Sequence, residues 1–292
     1  MEWYEWLLLP LIGAMGGFLA GMLGVGGGII FIPLLTWLIG RHGVSDTEVV
    51  KYTLANSIFL VFVSGLSGIG RQLKKGELNL RQMLLIGIPG ALTAWIWSLL
   101  VKHGFPKTTH FSEWLQQQGE WYQKDRFQMV FLCFLLLSIA NMVLGKSHQP
   151  ATPDNDAVPK GTTLKQLLVS VLAGTVVALS GLGGGVIMVP LFRMLLKMPM
   201  RQATGLSLSI IPLLSAAPLV SYLSSPALQS LPPVHSGYIV WPYAIPIAAA
   251  VAVFAVLGQK TASLIPEKTL RIIFASLSAI VLITTLYDIF TA

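Results

Sequence analysis

Gly24-Val-Gly-Gly-Gly-Ile-Ile-Phe-Ile-Pro-Leu-Leu35 returns further along the chain as Gly181-Leu-Gly-Gly-Gly-Val-Ile-Met-Val-Pro-Leu-Phe192, at an offset of 157 with seven identities in twelve positions. Each copy interrupts a long apolar stretch, Trp6–Ile39 and Leu164–Leu196, of about 30 apolar residues. A helix crosses a bilayer in about 20 residues and two helices need about 40, so neither stretch fits one crossing or two. Two shorter helices meeting at the glycines inside the membrane fit better. Non-helical backbone there must be covered by protein or line a wet cavity, and glycine allows the backbone angles and close approach this requires. A full crossing of each stretch remains the alternative at this point.

The rest of the chain is equally apolar. Of 292 residues, 54% are hydrophobic and only 11% charged, with a mean hydropathy of +0.73. Soluble domains carry about 25% charged residues, so a water-soluble fold is excluded. Further apolar runs are Val49–Ile69, Met83–Val101, Phe127–Leu144, Thr204–Leu223, Tyr238–Leu257 and Leu270–Phe290. Pro150–Pro159, rich in proline and acidic or amide residues, reads as an exposed linker between the halves. The halves also share Thr53 with Thr204, and Gly76 with Gly237. The expected fold is therefore an all-α polytopic membrane protein of two repeats, each a glycine-broken helical hairpin plus three transmembrane helices. The repeats span 1–149 and 164–292, joined by a polar linker at 150–163.

Charge placement orients the chain. The net charge of +7 would invite a nucleic-acid reading on a soluble protein; here the basic residues lie between apolar runs, where they mark the cytoplasmic leaflet. If both broken stretches return to the side they entered, the loops Arg71–Arg81, Lys146–Lys165, Arg193–Arg201 and Lys260–Arg271 share one face and hold 13 of the 19 basic residues. Three crossings then separate the hairpins and the second repeat is inverted, the architecture of many secondary transporters. Trp3, Tyr4, Trp6, Trp95, Trp97, Trp241, Tyr243 and Tyr287 fall at segment ends, as headgroup-level rings do. Phe111, Trp114, Leu115, Gln118, Trp121 and Tyr122 recur at helical spacing and predict a helix on the membrane surface. The N-terminus lacks the basic region of a cleavable signal, so the first apolar run is expected to be kept. Cys133 is the single cysteine, which excludes an internal disulfide.

The duplicated Gly-x-Gly-Gly-Gly-x-x-x-x-Pro-Leu stretch resembles the sulfite exporter TauE/SafE family, also called the TSUP family of anion transporters. Lys51–Ser57, Gln202–Ser209, Lys75-Gly76-Glu77-Leu78 and the closing Gly258–Phe274 are similar to it as well. The resemblance covers nearly the whole chain except the linker and the Lys102–Arg126 loop. It implies a multi-pass protein of the cell inner membrane that moves sulfite, a sulfonate, thiosulfate or a related small anion, in either direction.

The candidate substrate-binding residues follow from what an oxyanion needs. Unwound backbone at Gly26, Gly27, Gly28, Gly183, Gly184 and Gly185 frees amide N–H groups at the starts of two half-helices, whose positive dipole ends favour an anion. Thr53, Asn56, Ser57, Thr204 and Ser207 place side-chain donors at the start of the following helix, and Ser180 adjoins the second glycine run. Against this stands helix packing: serine and threonine in membrane helices often bond backbone, and Gly13, Gly17 and Gly21 at four-residue spacing read as a packing ladder. Arg71, Lys74, Lys75, Arg193, Lys197 and Arg201 read as orienting charges.

Every acidic residue and histidine lies in a loop, a terminus or near a segment end. Proton relays need ionisable groups within the membrane, so the expected driving force is the anion gradient, the membrane potential or a proton carried on the substrate. No metal or cofactor is expected. The expected partners are a small anionic substrate and the lipid bilayer, with a homodimer left open and nucleic acid excluded. Two other classes compete. Gly65-Leu66-Ser67-Gly68 matches the Gly-x-Ser-Gly of rhomboid-like intramembrane serine proteases, although that chemistry needs a histidine base within reach. A non-transporting membrane scaffold would explain the helices but not matching glycine breaks.

Overall fold

The computed structural model describes residues 3–43, 45–76, 78–103, 136, 162–180, 185–225 and 235–291. Among these residues the chain forms nine helices and one two-stranded hairpin. In order they are α1 (Trp3–Leu23), α2 (Gly28–Gly40), α3 (Asp46–Lys75), α4 (Leu80–His103), α5 (Thr162–Ser180), α6 (Gly185–Leu195), α7 (Met200–Ser224), β1 (His235–Ser236), β2 (Ile239–Val240), α8 (Trp241–Leu264) and α9 (Glu267–Thr291). Segments within α1, α3, α7 and α8 are long and apolar enough to cross a membrane. The chain is an all-α polytopic membrane protein. Apart from Leu136, the expected crossing Phe127–Leu144 lies outside the described residues, as do the surface helix near Trp114 and Trp121, Cys133, Gly183, Gly184 and the linker up to 161; Thr162 and Thr163, counted with the linker in the sequence, belong to α5.

The first broken stretch is a hairpin. Fifteen residues of continuous helix would separate Gly16 from Phe31 by about 22 Å, yet a Cβ on Gly16 would press into the Phe31 ring, 2.8 Å from its Cδ1. Leu9 and Ile12 of α1 share a buried cluster with Phe31, Leu35, Leu38 and Ile39 of α2. With 13 residues, α2 is about 20 Å long and does not cross. The counterpart α6 has 11 residues and packs in one cluster with Val169, Ala173 and Val177 of α5.

Helices of one half pack mainly on helices of the other. The Gly13, Gly17 and Gly21 ladder meets α8: a Cβ on Gly13 would lie 2.8 Å from Ala250 Cβ, one on Gly17 2.8 Å from Val251 Cα, and one on Gly21 2.9 Å from Ala255 Cα. The positions advance together, so α1 and α8 run parallel, and the ladder is a packing surface. Likewise a Cβ on Gly90 of α4 would lie 3.1 Å from Ser170 O of α5, and further along the same pair Trp97 Nε1 donates to Thr175 Oγ1 at 3.0 Å. At the centre α3 and α7 run antiparallel. Gln72 bonds Gly205 O, Gly68 abuts Leu208 and Gly65 accommodates the Pro212 ring.

The loops segregate to two ends. At one end Arg201 Nη2 donates to Ile265 O at 2.8 Å and Glu267 Oε1 accepts from the Met200 N–H at 3.2 Å. This is the basic end, shared by the loops near 71–81, 193–201 and 260–271. At the opposite end Tyr238 O accepts from Asn56 Nδ2 at 3.0 Å and the Tyr243 hydroxyl bonds His42. The outer surface carries exposed Leu7, Leu164, Leu264 and Ile283, an apolar coat suited to hydrocarbon rather than water.

Candidate functional site

The first glycine run is unwound. Gly24, Gly26 and Gly27 adopt φ of 69°, 80° and 83°, left-handed angles that cost a side chain free energy and glycine none. α1 closes with the Gly24 N–H on Ala20 O at 2.9 Å, and α2 opens with the Ile30 and Phe31 N–H groups on Gly27 O at 2.9 and 3.1 Å. Gly27 is the N-cap and provides no side chain. The N–H groups of Gly28 and Ile29 are left without a carbonyl of their own helix, as at any helix start. The break therefore spans residues 24–27, and Gly28 is already helical.

The second copy of the motif reaches the same place at Gly185. Gly185 opens α6, and a Cβ there would lie 2.5 Å from Val25 Cα and closer still to Gly24 O. The start of α6 thus meets the unwound backbone between α1 and α2, from the other half of the chain, at a buried point. Residues 24–28 and 185–189 are all buried.

The central helices clamp this junction. Ser207 Oγ donates to Gly24 O at 2.7 Å, and Ser64 Oγ donates to Gly26 O at 3.2 Å and to Val61 O at 2.8 Å. A Cβ on Gly24 would lie 2.7 Å from Thr204 Cα. Gly26, Gly27, Gly28, Gly185, Thr204 and Ser207 are thereby brought together. Thr204 Oγ1 also bonds Arg201 O one turn back, at 3.0 Å. Thr53 lies apart and accepts from Thr36 Oγ1 at 3.3 Å. Ser57 is buried in α3, and Ser180 is the last residue of α5.

Asn56 has a different set of partners. Its Nδ2 donates to Tyr52 O at 2.7 Å and Tyr238 O at 3.0 Å, and its Oδ1 accepts from the Val240 N–H at 3.1 Å. One amide hydrogen bond stays within α3 and the other two hold the β1–β2 hairpin against it.

Sequence reading missed other polar residues here. Ser64 carries no motif; only its register on α3 turns it to the break. Gln72 on α3 and Ser209 on α7 join at 2.8 Å, and Gln72 Nε2 donates to Gly205 O at 2.8 Å. Two charges are buried that placement at segment ends did not reveal. Glu48, 3% exposed, pairs with Lys51 at 2.9 Å and accepts from Tyr238 Oη at 3.4 Å. Arg193, also 3% exposed, faces Glu267 at 3.8 Å, so it is a packed charge as well as an orienting one. Tyr243, expected at headgroup level, is buried. Ser67 Oγ donates to Val63 O at 2.9 Å, while His42 and His235 sit at the opposite end against Tyr243 and Tyr52. Among the described residues no cluster of three or more His, Cys, Asp or Glu fits a metal ion.

Known proteins share this sequence along nearly its full length. It is 28% identical over 281 residues to a probable membrane transporter protein of Methanocaldococcus jannaschii, covering 95% of each chain. A probable membrane transporter protein of Haemophilus influenzae is 25% identical, covering 92% of this chain and 93% of that one. The probable membrane transporter protein YunE of Bacillus subtilis is 24% identical, covering 82% of each. No solved structure matches. The family model described as sulfite exporter TauE/SafE matches residues 9–285. Both copies of the glycine motif fall within that span, and the chain belongs to the sulfite exporter TauE/SafE family of membrane transporters.

Proposed function

We propose that the protein is a secondary transporter of a small sulfur-containing anion across the inner membrane, with the substrate held at mid-depth by the half-helix starts of both repeats. The observation that carries this reading is the approach of Gly185 to the Gly24–Val25 backbone. Two helix N-termini aimed at one buried point create a positive potential with no charged side chain. They also offer N–H donors that an oxyanion accepts and a metal cation does not. The family's description supports sulfite or a chemically related anion as the substrate class.

An inverted repeat underlies the convergence. α3 and α7 each follow a broken hairpin, and they run antiparallel. α1 packs parallel on α8 while α5 packs parallel on α4, the exchange expected when one unit is copied upside down. In this reading the repeats meet at the substrate and alternate access by rocking about it. The protease reading has less support, since Ser67 is bonded within its own helix and the described histidine side chains lie at the other end.

Uptake of radiolabelled sulfite into proteoliposomes tests the proposal. Saturable uptake, competed by sulfonates or thiosulfate but not by cations, is expected. Absence of saturable flux for every sulfur oxyanion under anion gradients of either direction would overturn it.

A further inference from the structure

The β1–β2 hairpin lies over the first break on the side away from the basic loops. Tyr238, Ile239 and Val240 are buried in one cluster with Val61 of α3 and Ile211 of α7. Those last two side chains flank the break itself: a Cβ on Gly26 would lie 3.1 Å from Val61 Cγ1 and 3.3 Å from Ile211 Cδ1. Asn56, which holds the hairpin through Tyr238 O and the Val240 N–H, precedes Val61 by five residues, about 8 Å of helix. The way along α3 from that end to the break therefore runs under Tyr238–Val240.

The ties that hold the hairpin down are few and of a kind that water can replace. Its ladder is two residue pairs, His235 with Val240 and Ser236 with Ile239, too short to keep its shape alone. Besides Asn56, the Tyr238 N–H donates to Tyr222 O at 3.2 Å. The Tyr238 hydroxyl donates to Glu48 Oε1 at 3.4 Å, the oxygen that also pairs with Lys51, and Lys51 Nζ lies 5.7 Å from the centre of the Tyr238 ring. Tyr238 thus covers a carboxylate that is only 3% exposed. Lifting it returns Glu48 to water, and that regained solvation offsets part of the cost of the bonds that break.

Corresponding positions of the two halves make unlike contacts. Asn56 follows Thr53 by three residues as Ser207 follows Thr204, yet Ser207 clasps the first break while Asn56 clasps the hairpin. Gly76 and Gly237, with φ of 66° and 56°, stand in the corresponding loops. A Cβ on Gly76 would meet nothing within 4 Å, whereas one on Gly237 would lie 2.6 Å from Leu223 O. The loop at the basic end is an open turn and its counterpart is folded down. Two copies of one unit in unlike contacts are what an alternating-access cycle shows at a single stage. We propose that β1–β2 is a strap that shuts the junction on the side away from the basic loops, that Asn56 is its latch, and that the strap lifts off α3 when the site opens to that side. Asn56 is then a positioning residue, acting on access to the site rather than on the anion.

The inference rests on the transporter reading, but its test is read without substrate. Val61→Cys places a thiol beneath the strap, and Ala203→Cys places one on the basic side of the junction next to Thr204. Both positions are fully buried, and each variant also carries Cys133→Ser, which removes the only native thiol. In nanodiscs a water-soluble thiol reagent reaches both faces, and the rate of labelling reports how often each side opens. Adding Asn56→Ala is expected to speed labelling at Val61→Cys about tenfold, the effect of losing two weak hydrogen bonds from the closed state, and to leave Ala203→Cys unchanged or slower. Tyr238→Phe is expected to give a smaller rise at Val61→Cys alone. An unchanged rate at Val61→Cys overturns the inference. So does an equal rise at both positions, which is what general loosening of the fold would produce. If Asn56→Ala does not fold, Tyr238→Phe, which removes only a hydroxyl, must show the one-sided rise, and its absence overturns the inference equally. Sulfite uptake by wild type decides the transporter reading separately: absence of saturable flux overturns that reading, whereas the labelling rates overturn only the strap.

Discussion

The Ser207 hydroxyl donates to the carbonyl oxygen of Gly24 at 2.7 Å, a contact between residues 183 apart in sequence. It joins the central helix of the second half to the unwound backbone of the first. Without it a buried carbonyl beside the junction would lose its partner and the break would be free to shift.

Ser207→Ala therefore removes a donor and strands an acceptor. A loss of about 1–3 kcal/mol is expected, read as a lower melting temperature, with weaker protection by added sulfite. Unchanged melting and unchanged protection together would show that Ser207 does not hold the break.

Gly185→Ala and Gly70→Ala make a matched pair. At Gly185 the new Cβ meets the Gly24–Val25 backbone, so the two half-helix starts must separate and anion binding should fall sharply. At Gly70 nothing lies within 4 Å. A helix-interior Gly→Ala change there is expected to stabilise by about 0.5–1 kcal/mol and leave binding intact. Equal binding by both variants would contradict the account.

Asn56→Ala should act on structure. It withdraws three hydrogen bonds from Tyr52, Tyr238 and Val240, for an expected loss of roughly 3 kcal/mol. The protein that remains folded should bind sulfite with near wild-type affinity. A large loss of affinity at unchanged melting temperature would make Asn56 a ligand.

Glu267→Gln tests the buried Arg193. The carboxylate offsets the charge of Arg193, against which the Arg271 charge also acts, and accepts from the Met200 N–H. Breaking a fully buried pair costs about 3–5 kcal/mol, and partial exposure of Glu267 brings the expectation to about 1–3 kcal/mol. A double Arg193→Met, Glu267→Gln variant should recover much of that loss, which melting curves of the single and double variants measure directly.

The first glycine break, the fold-back of its stretch and the packing ladder of α1 were legible in the sequence, because each is written in local spacing. About 30 apolar residues split by glycines admit few other shapes, and four-residue glycine spacing is a one-faced pattern on any helix. Ser64 and Gln72 were not legible. Their importance depends on which side of each helix faces its partner, and that is fixed by contacts distant in sequence: Ser64 meets Gly26, 38 residues earlier in its own half, and Gln72 meets Gly205, 133 residues later. Asn56 looked like a donor to substrate because its hairpin partners lie more than 180 residues away. Glu48 and Arg193 stood at segment ends, where burial depends on the loops that fold over them.

Selenite offers the most direct test of the convergence itself. It is an oxyanion of the same shape as sulfite, and selenium is visible by anomalous scattering in crystals of the protein. The account predicts an anomalous peak within hydrogen-bond reach of the backbone N–H groups at Gly28–Ile29 and Gly185–Val186, bounded by Ser207 and Thr204. A peak elsewhere, with the two half-helix starts packed against each other and unoccupied, would contradict it.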